Sequence, residues 1–169
     1  MAHDRYSWCY FVNTIVYSPA YVVKFVNVNT VFSCSDDKSV KLWDILTAKN
    51  ISTFVGHSDY VRAASIFPDN ESLIASGSYD HIVKIWDIRS GKCVIEINHD
   101  KPVECIVKHP TAPIFVSGGG NYFKVWDLMK PKECIHMSKS HHNTITTLSF
   151  NHDGTRFEKF LLLLIVSKE

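Results

Sequence analysis

The chain of 169 residues is poor in the residues that interrupt strands, with only seven Gly and six Pro. It has no C-x-x-C pair. Its five cysteines, Cys9, Cys34, Cys93, Cys105 and Cys134, are odd in number and widely spread, which argues against a disulfide framework and against a structural zinc site. A reducing compartment, no metal and no cofactor are therefore expected. A long hydrophobic run is missing too: the longest, Phe160 to Val166, falls far short of the ~18 residues needed to span a bilayer. The opening Met-Ala-His-Asp-Arg is not a basic region leading into a clean apolar stretch, so a soluble, intracellular protein with no membrane partner is expected. The sequons at Asn50-Ile51-Ser52 and Asn70-Glu71-Ser72 then carry no weight. Charge of one sign is lacking as well. Eighteen Lys+Arg against seventeen Asp+Glu leave a formal charge of +1, which gives no broad footprint for non-specific nucleic-acid binding. G-x-S-x-G, P-loop, H-E-x-x-H and paired-carboxylate patterns are all missing, so neither catalysis nor a small-molecule substrate is expected.

Valine, isoleucine and aromatics (ten Phe, seven Tyr, four Trp) are plentiful, and these fit a pleated, half-buried surface. They recur with a period. VKLWD ends at Asp44, VKIWD at Asp87 and FKVWD at Asp127, with successive tryptophans, Trp43, Trp86 and Trp126, 43 and 40 residues apart. Ahead of each stands a strand-like run closing on small residues: VFSCSDDKS, LIASGSYDH and IFVSGGGN. Gly56-His57 lies upstream of the second. Period, Gly-His, Ser-Gly-Ser-x-Asp and Trp-Asp together resemble the WD-repeat family, and the resemblance implies an all-β, WD-repeat β-propeller, here incomplete at about three to four blades.

The second repeat spells out one blade. Strands at Val61-Phe67, Leu73-Ser76, Val83-Trp86 and Cys93-Ile97 are separated by Pro68-Asp69-Asn70, Tyr79-Asp80-His81 and Ser90-Gly91, which predicts a four-stranded antiparallel meander. A lone meander cannot bury both faces, so blades must stack. The family resemblance implies that His57, Ser76, Asp80 and Trp86 form a hydrogen-bonded structural tetrad. Ser, His and Asp together also invite comparison with a hydrolase triad. Ser76 lies inside a strand, however, without a nucleophile elbow, and a satisfied buried polar network is the better account. Partial tetrads are expected in the neighbours: Ser33, Asp37 and Trp43 without a Gly-His, and His99, Ser117 and Trp126 with a turn one residue short and no Asp.

His141-His142 opens a fourth repeat, with Ile145-Phe150 as its first strand and a turn at 151–154. The expected organisation is an atypical N-terminal segment or degenerate first-blade strands at 1–30, propeller blades at 31–154, and an atypical tail at 155–169. The stretch after Gly154 does not resemble the expected strand, and reads as the mark of a truncated or mis-spliced product. Phe157-Val166 is the one segment with helical leanings.

HSDYVR at 57–62, GSYDHIVKIWDIR at 77–89, Pro102-Val103-Glu104, GGGNYFKVWD at 118–127 and His141-His142 resemble, over about residues 31–150, the U3 small nucleolar RNA-associated WD-repeat proteins of the small-subunit processome. That resemblance implies a non-catalytic scaffold in the nucleolus. It further implies support of 18S pre-rRNA processing, ribosome biogenesis and ribosomal DNA transcription, with other processome proteins and the pre-ribosomal RNA particle as partners. Members of that family carry a seven-bladed propeller and a helical C-terminal domain. An alternative comes from Trp86-Asp87-Ile88-Arg89, which resembles the W-D-x-R box of WD-repeat substrate receptors of cullin-RING ubiquitin ligases.

Partner contacts are expected on the narrow rim, at Tyr60, Arg62, Tyr79, Asp36, Glu104 and Thr146, since Tyr and Arg dominate interface hot spots. Lys41, Lys84 and Lys124 recur two residues before each Trp, either as a basic column or, the favoured expectation, as stems along apolar strands with heads in solvent.

Overall fold

The computed structural model describes residues 20–67, 72–131, 133–139, 142–151, 154 and 157–160, the last four by their backbone. Every regular element among them is a β-strand. β1 (Ala20–Asn27), β2 (Thr30–Ser35), β3 (Ser39–Asp44) and β4 (Asn50–Val55) form one antiparallel meander. β5 (Val61–Ile66), β6 (Leu73–Ser78), β7 (Ile82–Asp87) and β8 (Lys92–Asn98) form the second. β9 (Cys105–Lys108), β10 (Ile114–Gly119), β11 (Tyr122–Asp127) and β12 (Cys134–Ser138) form the third. β13 (Thr147–Phe150) pairs with β14 (Phe157–Phe160) as the start of a fourth. This is an incomplete propeller, with β1, β5, β9 and β13 side by side as the inner strands.

The tight turns show how the sequence sets the meander. In the first two blades an aspartate bends the chain: Asp37 Oδ1 accepts from the amide of Ser39 at 3.0 Å, and Asp80 Oδ1 from the amide of Ile82 at 2.9 Å. These side-chain links hold the intervening Lys38 and His81 at φ 67° and 70°, an unusual conformation for residues with a Cβ. The third blade has no such aspartate. Gly119 pairs with Tyr122 across a two-residue link, and Gly120 takes φ 56°.

The apolar core lies between blades. Phe32, Val40 and Phe54 of the first pack on Val61, Ile74 and Trp86 of the second. Val83, Ile85 and Ile97 of the second pack on Val103, Ile106, Phe115 and Trp126 of the third and its entry loop. Val116 and Phe123 then meet Ile145 and Leu148 of the fourth. Gly77 sits where the second blade meets that entry loop: a Cβ there would lie 2.4 Å from a Val103 methyl, so the approach requires glycine.

Residues 20–27, within the stretch read as either an atypical segment or degenerate first-blade strands, form the inner strand of the first blade. One sequence expectation changes: after Gly154 a strand does follow, because Phe157 lies opposite Phe150 and Phe160 opposite Thr147. The Pro68-Asp69-Asn70 turn, His141, His152, Asp153 and the run beyond Phe160 lie outside the described residues.

Candidate functional site

In the second blade the indole of Trp86 donates to Ser76 Oγ at 2.7 Å, and Ser76 Oγ lies 2.8 Å from His57 Nε2. His57 Nδ1 stands 2.8 Å from Asp80 Oδ2, which also accepts from the amide of Ser58 at 2.9 Å. With Nδ1 donating to the carboxylate, Nε2 is left to accept the serine proton, and every polar atom of the four is used. Burial pushes the His57 imidazole below its ordinary pKa despite the opposing pull of Asp80. Burial alone would raise Asp80, but bonds from Ser58, His57 and Ile82 outweigh it and hold the carboxyl below the usual range. Ser76 is fully buried, closing its hydroxyl off from any substrate.

The first blade keeps the inner bond alone, Trp43 Nε1 donating to Ser33 Oγ at 2.9 Å. Its Asp37 is held by Lys41 at 2.6 Å. In the third blade Trp126 Nε1 donates to Ser117 Oγ at 2.7 Å, but His99 does not reach that hydroxyl. Its ring lies 3.2 Å from the carbonyl oxygen of Ser117 and 3.3 Å from that of Lys101, and stacks on Tyr122 with centroids 5.2 Å apart. The Tyr122 phenol donates to the His99 carbonyl at 2.7 Å. The lysine heads are not in solvent as expected: Lys84 pairs with Glu96 and Lys124 with Asp100, and both lysines are buried. A carboxylate one strand or loop away makes burial of the ammonium tolerable.

Three of the six rim residues, Arg62, Glu104 and Thr146, line one cavity at the inner strands, and Tyr79, Tyr60 and Asp36 join it through Glu104, Tyr79 and Tyr21 in turn. The Arg62 guanidinium lies over the Tyr21 ring, 3.7 Å from its centroid, and 5.1 Å from that of Tyr79. Tyr21 donates its phenol to Asp36 Oδ2 at 2.7 Å and Tyr79 donates to Glu104 at 2.5 Å. Burial and then the Glu104 bond push the Tyr79 phenol up to about 12. Tyr60, the exposed member, tilts against Tyr79 at 6.4 Å. Thr146 stands across a cavity of about 270 Å³ that Arg62, Glu104 and Lys24 also line. Arg62 is thus not a simple outward residue of strand β5, because a bulge between Val61 and Ala63 turns it across the blade boundary.

Sequence reasoning missed Tyr21 and Lys24, which belong to the N-terminal stretch, and Tyr122, whose place beside a histidine carries no spacing signal. Arg89 is exposed; its amide donates to Asp87 at 3.0 Å, and its side chain lines a 240 Å³ cleft between the first two blades. Among the described residues no three His, Cys, Asp or Glu side chains gather as a metal site, and no helix is long and apolar enough to cross a membrane.

The family "WD domain, G-beta repeat" matches residues 7–44, 48–87 and 91–127. The "U3 small nucleolar RNA-associated protein 15 homolog" of Xenopus tropicalis is 39% identical over 126 residues, covering 75% of this chain and 24% of the relative. The "U3 small nucleolar RNA-associated protein 15" of Saccharomyces cerevisiae is 39% identical over 120 residues, covering 68% of this chain and 23% of its own. "Protein SLOW WALKER 1" of Arabidopsis thaliana is 41% identical over 118 residues, covering 69% and 22%. The chain therefore spans about a quarter of the length of the curated relatives it matches. Three matched repeats, each ending with the third strand of a four-stranded blade whose indole is bonded to a strand serine, establish that this chain belongs to the WD-repeat family.

Proposed function

We propose that this chain is a non-catalytic WD-repeat scaffold of the nucleolar small-subunit processome, supporting 18S pre-rRNA processing by presenting its rim to other processome proteins. The observation that carries this is the identity to U3 small nucleolar RNA-associated proteins of a frog and a yeast, which extends over most of the described blades. The geometry supports a binding role: the tetrad is spent on holding the second blade, while Tyr60, Tyr79 and Arg62 stand at the mouth as aromatic and guanidinium anchors. The buried lysines Lys84 and Lys124 are already paired with carboxylates and offer no basic column to RNA phosphates. Nothing favours the ubiquitin-ligase alternative at Arg89.

The test expresses the tagged chain in cells and follows its position, its co-purifying proteins and the 18S to 28S ratio on depletion. Nucleolar concentration, recovery of processome subunits and a selective fall in 18S are expected. Tyr60→Ala, which truncates an exposed side chain, should weaken recovery by on the order of 1–2 kcal/mol with little loss of stability. A chain that stays diffuse, with 18S unaffected by its loss, overturns the assignment.

A further inference from the structure

We propose that the cavity at the mouth of the inner strands takes an acidic side chain from an extended peptide of a protein partner, its carboxylate held between Arg62 and Lys24 and facing Thr146. This deepens the scaffold reading and rests on it, naming the chemistry of the segment that the rim receives. Arg62 is the central observation. Its guanidinium is fixed by two tyrosine rings, yet it has no carboxylate within ion-pair distance among the described residues, although every buried lysine of the neighbouring blades has one. Its Nε and Thr146 Oγ1 are buried side-chain atoms without a hydrogen-bond partner, and both residues line this one cavity. An unsatisfied buried polar atom is costly, so two facing one cavity mark groups arranged for something the free chain does not supply. Lys24 lines the same 270 Å³ cavity and likewise has no carboxylate partner among the described residues.

The charges around the cavity select the class of ligand. Glu104, held by Tyr79, lines the cavity with Arg62, and Asp36 is held by the neighbouring Tyr21, so an extended polyanion such as RNA would run its phosphates along two carboxylates. A single carboxylate between Arg62 and Lys24 avoids both. Tyrosine faces at the lip suit the flanking backbone of a peptide.

The experiment titrates the full chain, by fluorescence anisotropy, with labelled peptides carrying one central Glu in a Gly and Ser background, the same peptides with Gln for that Glu, and a single-stranded RNA of similar length. The Glu peptide should bind about tenfold more tightly than the Gln peptide and ahead of the RNA. Arg62→Met, which keeps the stem between the rings, should abolish that preference, and Lys24→Met should reduce it. Thr146→Val, isosteric and free of the unpaired hydroxyl, should raise the melting temperature of the free chain while weakening the Glu peptide. Equal binding of the Glu and Gln peptides, tighter binding of RNA, or a preference untouched by both Lys24→Met and Thr146→Val overturns the proposal, and these two variants decide it even if Arg62→Met does not fold. Processome recovery is read separately. A lost Glu preference with recovery intact removes the cavity and leaves the scaffold, whereas a Glu preference in a chain that stays diffuse removes the scaffold and leaves the cavity.

Discussion

The second and third blades solve one problem in two ways. Both tie the third strand to the second through an indole bonded to serine at 2.7 Å. In the second, the serine is joined outward through His57 to Asp80, which in turn bends the tight turn. In the third, the turn is one residue shorter and that aspartate has gone, so the histidine loses its acceptor on Nδ1. His99 instead lies against two backbone carbonyls and is clamped by the Tyr122 ring. The inner bond is what the blade architecture needs; the outer tie can be replaced by aromatic packing and a glycine turn.

The largest effect should come from the shared element. Trp86→Ala, at a side chain 2% exposed, should cost ~3–5 kcal/mol in denaturant unfolding, and Trp126→Ala should cost as much, since neither blade has a substitute. Asp80→Ala should cost roughly 1–3 kcal/mol by leaving His57 unsatisfied, whereas Asp100→Ala made in a Lys124→Met background, where no buried ammonium is left unpaired, should stay under about 1 kcal/mol because the Asp100 carboxylate is largely exposed. Equal losses at the two aspartates would erase the distinction between the blades.

Acidification sharpens the contrast further. His57 and His99 are both lowered from 6.5 in the folded chain, each by burial first. The unfolded chain therefore takes up protons before the folded one as pH falls. Their contribution is fully present above about pH 6.5 and is lost as pH drops toward the folded values. Melting temperatures measured between pH 7.5 and 5.5 should fall less steeply in His57→Asn and His99→Asn than in the parent chain. A modest effect belongs to Tyr122→Phe, which removes the bond to the His99 carbonyl but keeps the stack, at about 0.5–1.5 kcal/mol. A larger loss would mean that the phenol, not the ring, clamps the third blade.

Much of this was legible because the period places equivalent residues in equivalent positions: the three tryptophans, their serines and the turns at 36–38, 79–81 and 120–121 are where the spacing puts them. The losses have physical causes. β1 has apolar residues on both faces, Val22 and Val26 toward the second blade and Val23 and Phe25 exposed, so alternation is silent there. In β14 the paired ends Phe157 and Phe160 run directly into a leucine stretch that hides the strand period. For the rim, residue type could single out Tyr60, Arg62 and Tyr79, but the bulge that lays Arg62 over Tyr21 is a register event with no mark in composition. His99 was placed correctly, and its partners were not, since they are backbone atoms.

The interblade position of the three apolar clusters has a consequence for how the molecule comes apart. No blade owns its core, so each one's free energy is mostly a coupling to its neighbours, as in a short one-dimensional array. The second blade is coupled on both sides. Amide exchange should therefore be slowest in β6 and β7, quicker in β2 and β3, and quickest in β13, and a cavity cut at Phe115 should speed exchange in the second blade as well as in its own.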